Sequence, residues 1–148
     1  MGAPAASFAQ EEFDPSQVSS ITQNADAGVA TCKNNKDTDF AFQCSGTSAT
    51  GYRQKEDSSS VYIWIKGYSG KPLRLFVDGA YDNRGTGNLN CTQGVYRSNH
   101  EREWEIYNLV RENKRSYARL TAWAESGYGT VYGKWSPDCL GHFNKLPS

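Results

Sequence analysis

Residues 117–139 read YARLTAWAESGYGTVYGKWSPDC, and this stretch decides the fold. Ala118, Leu120, Ala122 and Ala124 recur at every second position, the period of a strand with one apolar face. Gly127-Tyr128-Gly129 supplies a turn, Val131 and Tyr132 begin another strand, and Trp135-Ser136-Pro137 forms an exit. Two strands joined by a glycine turn predict a hairpin that closes a β-sandwich.

Working outward, VYIWIKG at 61–67 places Val61, Ile63 and Ile65 on one face and Tyr62 and Trp64 on the other. A strand apolar on both faces belongs in the middle of a sheet. Residues 67–72 form a turn, after which Leu73, Leu75 and Val77 point inward and Arg74 and Asp78 outward. HEREWEIYNLVREN at 100–113 is read as strand rather than helix, because Val95, Tyr96, Trp104, Ile106 and Tyr107 favour extended backbone. Residues 28–45 predict a hairpin turning at 34–39, residues 46–60 a polar link, and residues 80–94 a loop rich in Asn and Gly. Residues 1–27, polar and carrying Pro4 and Pro15, read as an arm ordered only if it docks. The expected organisation is an arm at 1–27, a disulfide-stapled sandwich at 28–141 and a tail at 142–148.

Arg119-Leu120-Thr121-Ala122, Gly127-Tyr128-Gly129 and Trp135-Ser136-Pro137 together resemble the last two strands of fibronectin type III and related immunoglobulin-like domains. The sequence departs from that pattern at Tyr117, one position too close to Arg119, and at Cys139. The resemblance implies an all-β, immunoglobulin/fibronectin-like β-sandwich, and by analogy a binding module rather than an enzyme.

The 16 basic and 16 acidic residues cancel, which argues against a dedicated binder of nucleic acid or anionic membrane, since both need a large positive field. No run approaches the ~20 apolar residues that span a bilayer. Cys32, Cys44, Cys91 and Cys139 lack metal-site spacing. An even count in a small polar chain predicts two disulfides in an oxidising compartment. Of three connectivities, Cys32–Cys44 with Cys91–Cys139 is preferred, because the first pair flanks one expected hairpin. Four buried thiols in a cytosolic protein are the plain alternative. Ser7-Phe8-Ala9, small at its first and third positions after a short apolar stretch, reads as the end of a secretory leader.

No motif of hydrolase, kinase, P-loop or dinucleotide chemistry occurs, and histidine is limited to His100 and His142. The best catalytic grouping is His100, Glu101, Arg102 and Glu103, with Glu105 beyond. It has the Glu base, His acid and phosphate-binding Arg that secreted ribonucleases combine. A solvated strand of alternating charge explains the same letters. Asp78, Asp82 and Asn83 offer oxygen ligands, but their spacing is not that of a calcium loop, and a long turn accounts for them. Asn90-Cys91-Thr92 fits a glycosylation acceptor formally and is discounted, its cysteine being assigned to a bridge. No metal or cofactor is expected.

With Leu120 and the alanines facing inward, Tyr117, Arg119, Thr121 and Trp123 line the opposite side. His100, Arg102 and Trp104 are expected beside them on a neighbouring strand. Exposed Trp, Tyr and Arg are the materials of interface hot spots, so Trp104, Tyr117, Arg119 and Trp123 are the candidate contact residues. The expected role is a non-catalytic, secreted adaptor that recognises another protein, with the 1–27 arm as a docking element. A small ribonuclease-like hydrolase and a carbohydrate-binding module are the alternatives.

Overall fold

The computed structural model describes residues 34–139 and 141–148, so the leader-like stretch, the 1–27 arm and Cys32 lie outside the described residues. The described residues contain no helix. Their strands are β1 (Thr38–Cys44), β2 (Thr47–Ala49), β3 (Arg53–Gln54), β4 (Val61–Gly70), β5 (Leu73–Ala80), β6 (Leu89–Asn90), β7 (Tyr96–Arg97), β8 (Arg102–Ile106), β9 (Tyr117–Ala124) and β10 (Gly129–Ser136). They form two antiparallel sheets. Sheet A runs β1-β10-β4-β8, and sheet B runs β2-β9-β5-β6, with β3 also on β9 and β7 also on β5.

The apolar alternation seen in the sequence becomes the core. Val61, Ile63 and Ile65 of β4 are fully buried, as are Leu73, Leu75 and Val77 of β5 and Ala118, Leu120 and Ala122 of β9. Phe40, Phe42, Val131 and Trp135 join them in one cluster drawn from both sheets. Each large aliphatic side chain withdrawn from water contributes roughly 1.5–3 kcal/mol. The expected all-β class holds; of the strand expected over 100–113 only 102–106 forms, and 107–113 make an isolated bridge and a turn instead.

The closing hairpin is not formed. β9 pairs with β2 and β5 in sheet B, whereas β10 pairs with β1 and β4 in sheet A. The link between β9 and β10 is an arch that carries the chain across the core, and the link between β4 and β5 is another. The physical reason is that each strand has an apolar face to bury. Placing Leu120 and Ala122 on one layer and Val131 and Trp135 on the other buries both faces against each other. The two arches lie side by side, since β4 pairs with β10 and β5 with β9.

Their bends touch: Lys71 N donates to Tyr128 O at 2.9 Å. Gly70 adopts φ +72°, and a methyl group there would press on the Tyr128 carbonyl. At Gly129 a methyl group would strike the Lys71 carbonyl. These glycines serve the contact between arches.

The hairpin expected over 28–45 also changes. The proposed turn at 34–39 leads straight into β1, which pairs along its whole length with β10. The supposed polar link at 46–60 contains β2 and β3 and two fully buried cations, Arg53 and Lys55. Lys55 Nζ donates to Asp138 Oδ1 at 2.9 Å, Pro137 O at 2.7 Å and Ser59 O at 2.5 Å. Asp138 also accepts from the backbone N–H groups of Asn34 and Glu56, at 2.6 and 2.9 Å. Burial lowers Lys55 and raises Asp138 from their ordinary values, while the contact between them opposes both shifts. Arg53 lies over the Trp135 ring at 5.1 Å and donates to Trp135 O at 3.1 Å. Desolvation brings it down to about 10, still a cation at neutral pH.

Among the described residues no cysteine pair is bonded, so the expected Cys91–Cys139 bridge is overturned. Cys91 hangs on sheet B, its N–H bonded to Val77 O at 2.9 Å, whereas Cys139 follows β10 on sheet A with Sγ at 3.8 Å from Glu105 Oε2. The Cys32–Cys44 pairing falls outside the described residues.

The tail is structural. Glu105 N donates to Asn144 O and Leu146 N to Glu105 O, each at 2.9 Å, and Arg97 N donates to Pro147 O at 3.1 Å. Leu146 is fully buried, so the tail seals β8 of sheet A and β7 of sheet B at one side.

Candidate binding surfaces

Alternation on β9 sends Tyr117, Arg119, Thr121 and Trp123 to the outside of sheet B, as expected. Asp78, opposite Arg119 on β5, organises this face. Its Oδ2 accepts from Arg119 Nε at 3.1 Å and from Thr121 Oγ1 at 2.7 Å. The Arg119 guanidinium also lies 4.8 Å above the Tyr52 ring, which fixes its plane. Arg74 stands opposite Trp123 and covers the Phe76 ring at 5.2 Å. Arg97 grips Glu125 with two bonds of 3.0 and 3.1 Å, and Arg74 reaches the same carboxylate at 3.8 Å. The hydrogen bond from Arg97 is the main reason that Glu125 is held below its usual pKa. Trp123 is left 40 % exposed at the centre of this framework, while Tyr117 is half-buried.

Trp104 does not belong to that face. β8 pairs with β4 in sheet A, so His100, Arg102 and Trp104 do not run beside β9. Trp104 packs partly buried against the core, its Nε1 donating to His100 O at 3.0 Å, and the His100 ring meets it edge-on at 6.1 Å.

Nor is the His/Glu/Arg grouping gathered into one place. His100 and Glu101 precede β8, and His100 sits on the Trp104 side. Glu103 belongs to the opposite face, where its Oε2 accepts from Tyr62 OH at 2.6 Å. Burial first, and then this bond, drive the Tyr62 phenol well above its usual pKa.

Asp78 and Asp82 have separate tasks too. Asp82 Oδ1 accepts from Arg84 N at 3.0 Å and Thr86 N at 3.1 Å, closing its own loop. Bonds from Thr86 hold its carboxyl down at about 2. Asn90 Oδ1 likewise accepts from Thr92 N, two residues on, at 3.0 Å.

A second surface, which sequence reading missed, lies where the tail crosses the edge of sheet A. A groove of about 530 Å³ is walled by Trp64 of β4, by Arg102, Glu103 and Trp104 of β8, and by His142, Phe143 and Asn144 of the tail. A cleft of about 290 Å³ adjoins it across Glu103 and Phe143 and reaches Tyr62 and Asp37. Trp64 is 36 % exposed, with Lys66 Nζ at 4.4 Å from its ring centre. The Phe143 ring packs on Tyr62 at 5.3 Å, and its N–H is fixed by Glu105 Oε2 at 2.8 Å. Arg102 holds φ +108°, a conformation that side chains bearing a Cβ rarely adopt. The available signal is Trp64 on the second face of β4.

Fold and surfaces together define a two-sheet, all-β domain with an arginine–aromatic face on one sheet and a mixed polar and aromatic groove on the other. The chain belongs to the family described as Protein of unknown function (DUF2712), whose match covers residues 25–139. No curated protein and no solved structure matches the chain.

Proposed function

We propose that this protein is a non-catalytic binding module, an adaptor that recognises another protein through the outer face of sheet B. The observation that carries this reading is Trp123, 40 % exposed among arginines already held in place by Asp78, Glu125 and aromatic rings. A large aromatic anchor beside pre-ordered guanidinium groups loses little conformational freedom on binding, and Trp and Arg dominate interface energetics. Arg74, Arg97 and Arg119 against Asp78 and Glu125 leave the face with an excess of one positive charge (three minus two). Its complement is a protein surface with an acidic rim and an apolar recess for the indole. A secreted location is part of the proposal, supported by the leader-like Ser7-Phe8-Ala9.

The test is affinity capture from the native extracellular fraction with wild-type protein, Trp123→Ala, Arg74→Glu and Trp64→Ala as baits. One stoichiometric protein retained by wild type and Trp64→Ala, and lost with Trp123→Ala and Arg74→Glu, supports the reading. Equal recovery by all four baits, or no partner on any, overturns it.

A further inference from the structure

We propose that the groove between Trp64 and the C-terminal tail is a sugar site that takes a neutral pyranose ring, independent of the face of sheet B. The argument begins with the walls. Trp64 presents a partly exposed indole, and Phe143 supplies a second aromatic surface held in place by Tyr62 and Glu105. Between them stand Arg102, a pure donor, Glu103, an acceptor, and Asn144, whose amide is both. Arg102 and Glu103 carry opposite charges, so these two walls set up no one-sided field for an ionic ligand. The groove offers flat apolar surface with donors and acceptors set beside it. That combination matches a ring with C–H bonds on one face and hydroxyl groups around its rim, because each hydroxyl both donates and accepts.

Glu103 is prepared for such a task. One carboxylate oxygen is engaged by Tyr62 OH at 2.6 Å, which fixes the side chain on the groove wall. The groove, at about 530 Å³, lies within the size range of small-ligand sites, roughly 300–1,000 Å³. An independent observation points to the same place. Arg102 enters β8 at φ +108°, and strained backbone at non-glycine residues concentrates at ligand clamps and active sites. Lys66 Nζ lies 4.4 Å from the Trp64 ring centre and covers part of the indole. The tail residues His142, Phe143 and Asn144 of this wall lie beyond residue 139, where the family match ends.

The experiment is a titration, followed by tryptophan fluorescence and saturation-transfer NMR, with four neutral hexasaccharides built from glucose, xylose, galactose and N-acetylglucosamine. Wild type is expected to bind at least one, with saturation transfer to ring C–H protons. Trp64→Ala is expected to abolish the transfer. Glu103→Gln keeps the size of the side chain and is expected to weaken binding about tenfold, the loss of one charge-assisted hydrogen bond. Trp123→Ala is expected to bind as wild type does. No binding to any of the four at millimolar sugar, unchanged binding by Trp64→Ala, or loss on Trp123→Ala would each overturn the assignment. Because the protein-capture test turns on Trp123 and Arg74, failure of one proposal is distinguishable from failure of the other.

Discussion

The ammonium of Lys55 and the carboxylate of Asp138 meet at 2.9 Å, with neither side chain exposed to solvent. They are 83 positions apart in the chain, so the pair ties the segment before β4 to the exit of β10. Removing one member strands the other in a site closed to bulk solvent. Lys55→Met is therefore expected to destabilise the fold by about 3–5 kcal/mol. Urea unfolding measures it, and a loss under about 1 kcal/mol would show that the site relaxes or admits water.

The paired arches predict a sharp difference among glycines. Gly70→Ala combines a left-handed backbone penalty of ~1–2 kcal/mol with overpacking of ~1–3 kcal/mol against Tyr128 O. Gly46→Ala, whose added methyl group meets nothing within 4 Å, serves as the control. Unfolding midpoints that match for the two variants would remove the arch contact from the account.

Leu120 and Trp123 sit three positions apart on one strand and face opposite ways. Leu120→Ala is expected to cost ~2–5 kcal/mol through a cavity in the core. Trp123→Ala is expected to stay within about 1 kcal/mol of wild type, as an exposed position away from the packed interior. Thermal unfolding of both variants reads the contrast directly.

Asp82 gives the acid dependence a defined window. Its folded pKa, about 2, lies below the ordinary 3.8, so the stability from its ionised cap is complete above 3.8 and disappears as pH falls through about 2. A carboxyl-carbon NMR titration should place its midpoint near 2. A midpoint at or above 3.8 would mean that the bonds to Arg84 and Thr86 do not persist in solution.

Burial pushes the Cys44 and Cys91 thiols above their usual pKa, so both should resist a thiol reagent at neutral pH until the protein is unfolded. Reagent labelling followed by peptide mapping, with and without denaturant, checks this, and rapid labelling of either cysteine in the folded protein would overturn it.

Much of the layer structure was legible in the sequence. The inward sets Leu73/Leu75/Val77 and Ala118/Leu120/Ala122 follow from period-two patterning alone, while the strand character of 102–106 follows from its aromatic and β-branched residues. What escaped was pairing. A hairpin and an arch require the same letters around Gly127 and Gly129, because each strand has one apolar face in either case. Which sheet receives β10 is decided by β1 and β4, far off in the chain. The same blindness to distance made Arg53 and Lys55 look solvated, since their partners Trp135 and Asp138 lie more than 80 residues away. It also assigned Trp104 to the face of Trp123 and hid the groove, one wall of which comes from the tail.

The position of β10 between β1 and β4 has a consequence for biogenesis. The strand that completes sheet A is the last of the described strands in chain order, and no neighbouring pair in that sheet is joined as a local hairpin. Pairings of this long range are slow to close. A nascent chain cut off before Gly129 leaves β1 with no neighbour in its sheet and β4 with β8 alone. A chain lacking Gly129–Ser136 is therefore expected to leave sheet A open and to be cut by protease where the intact chain resists.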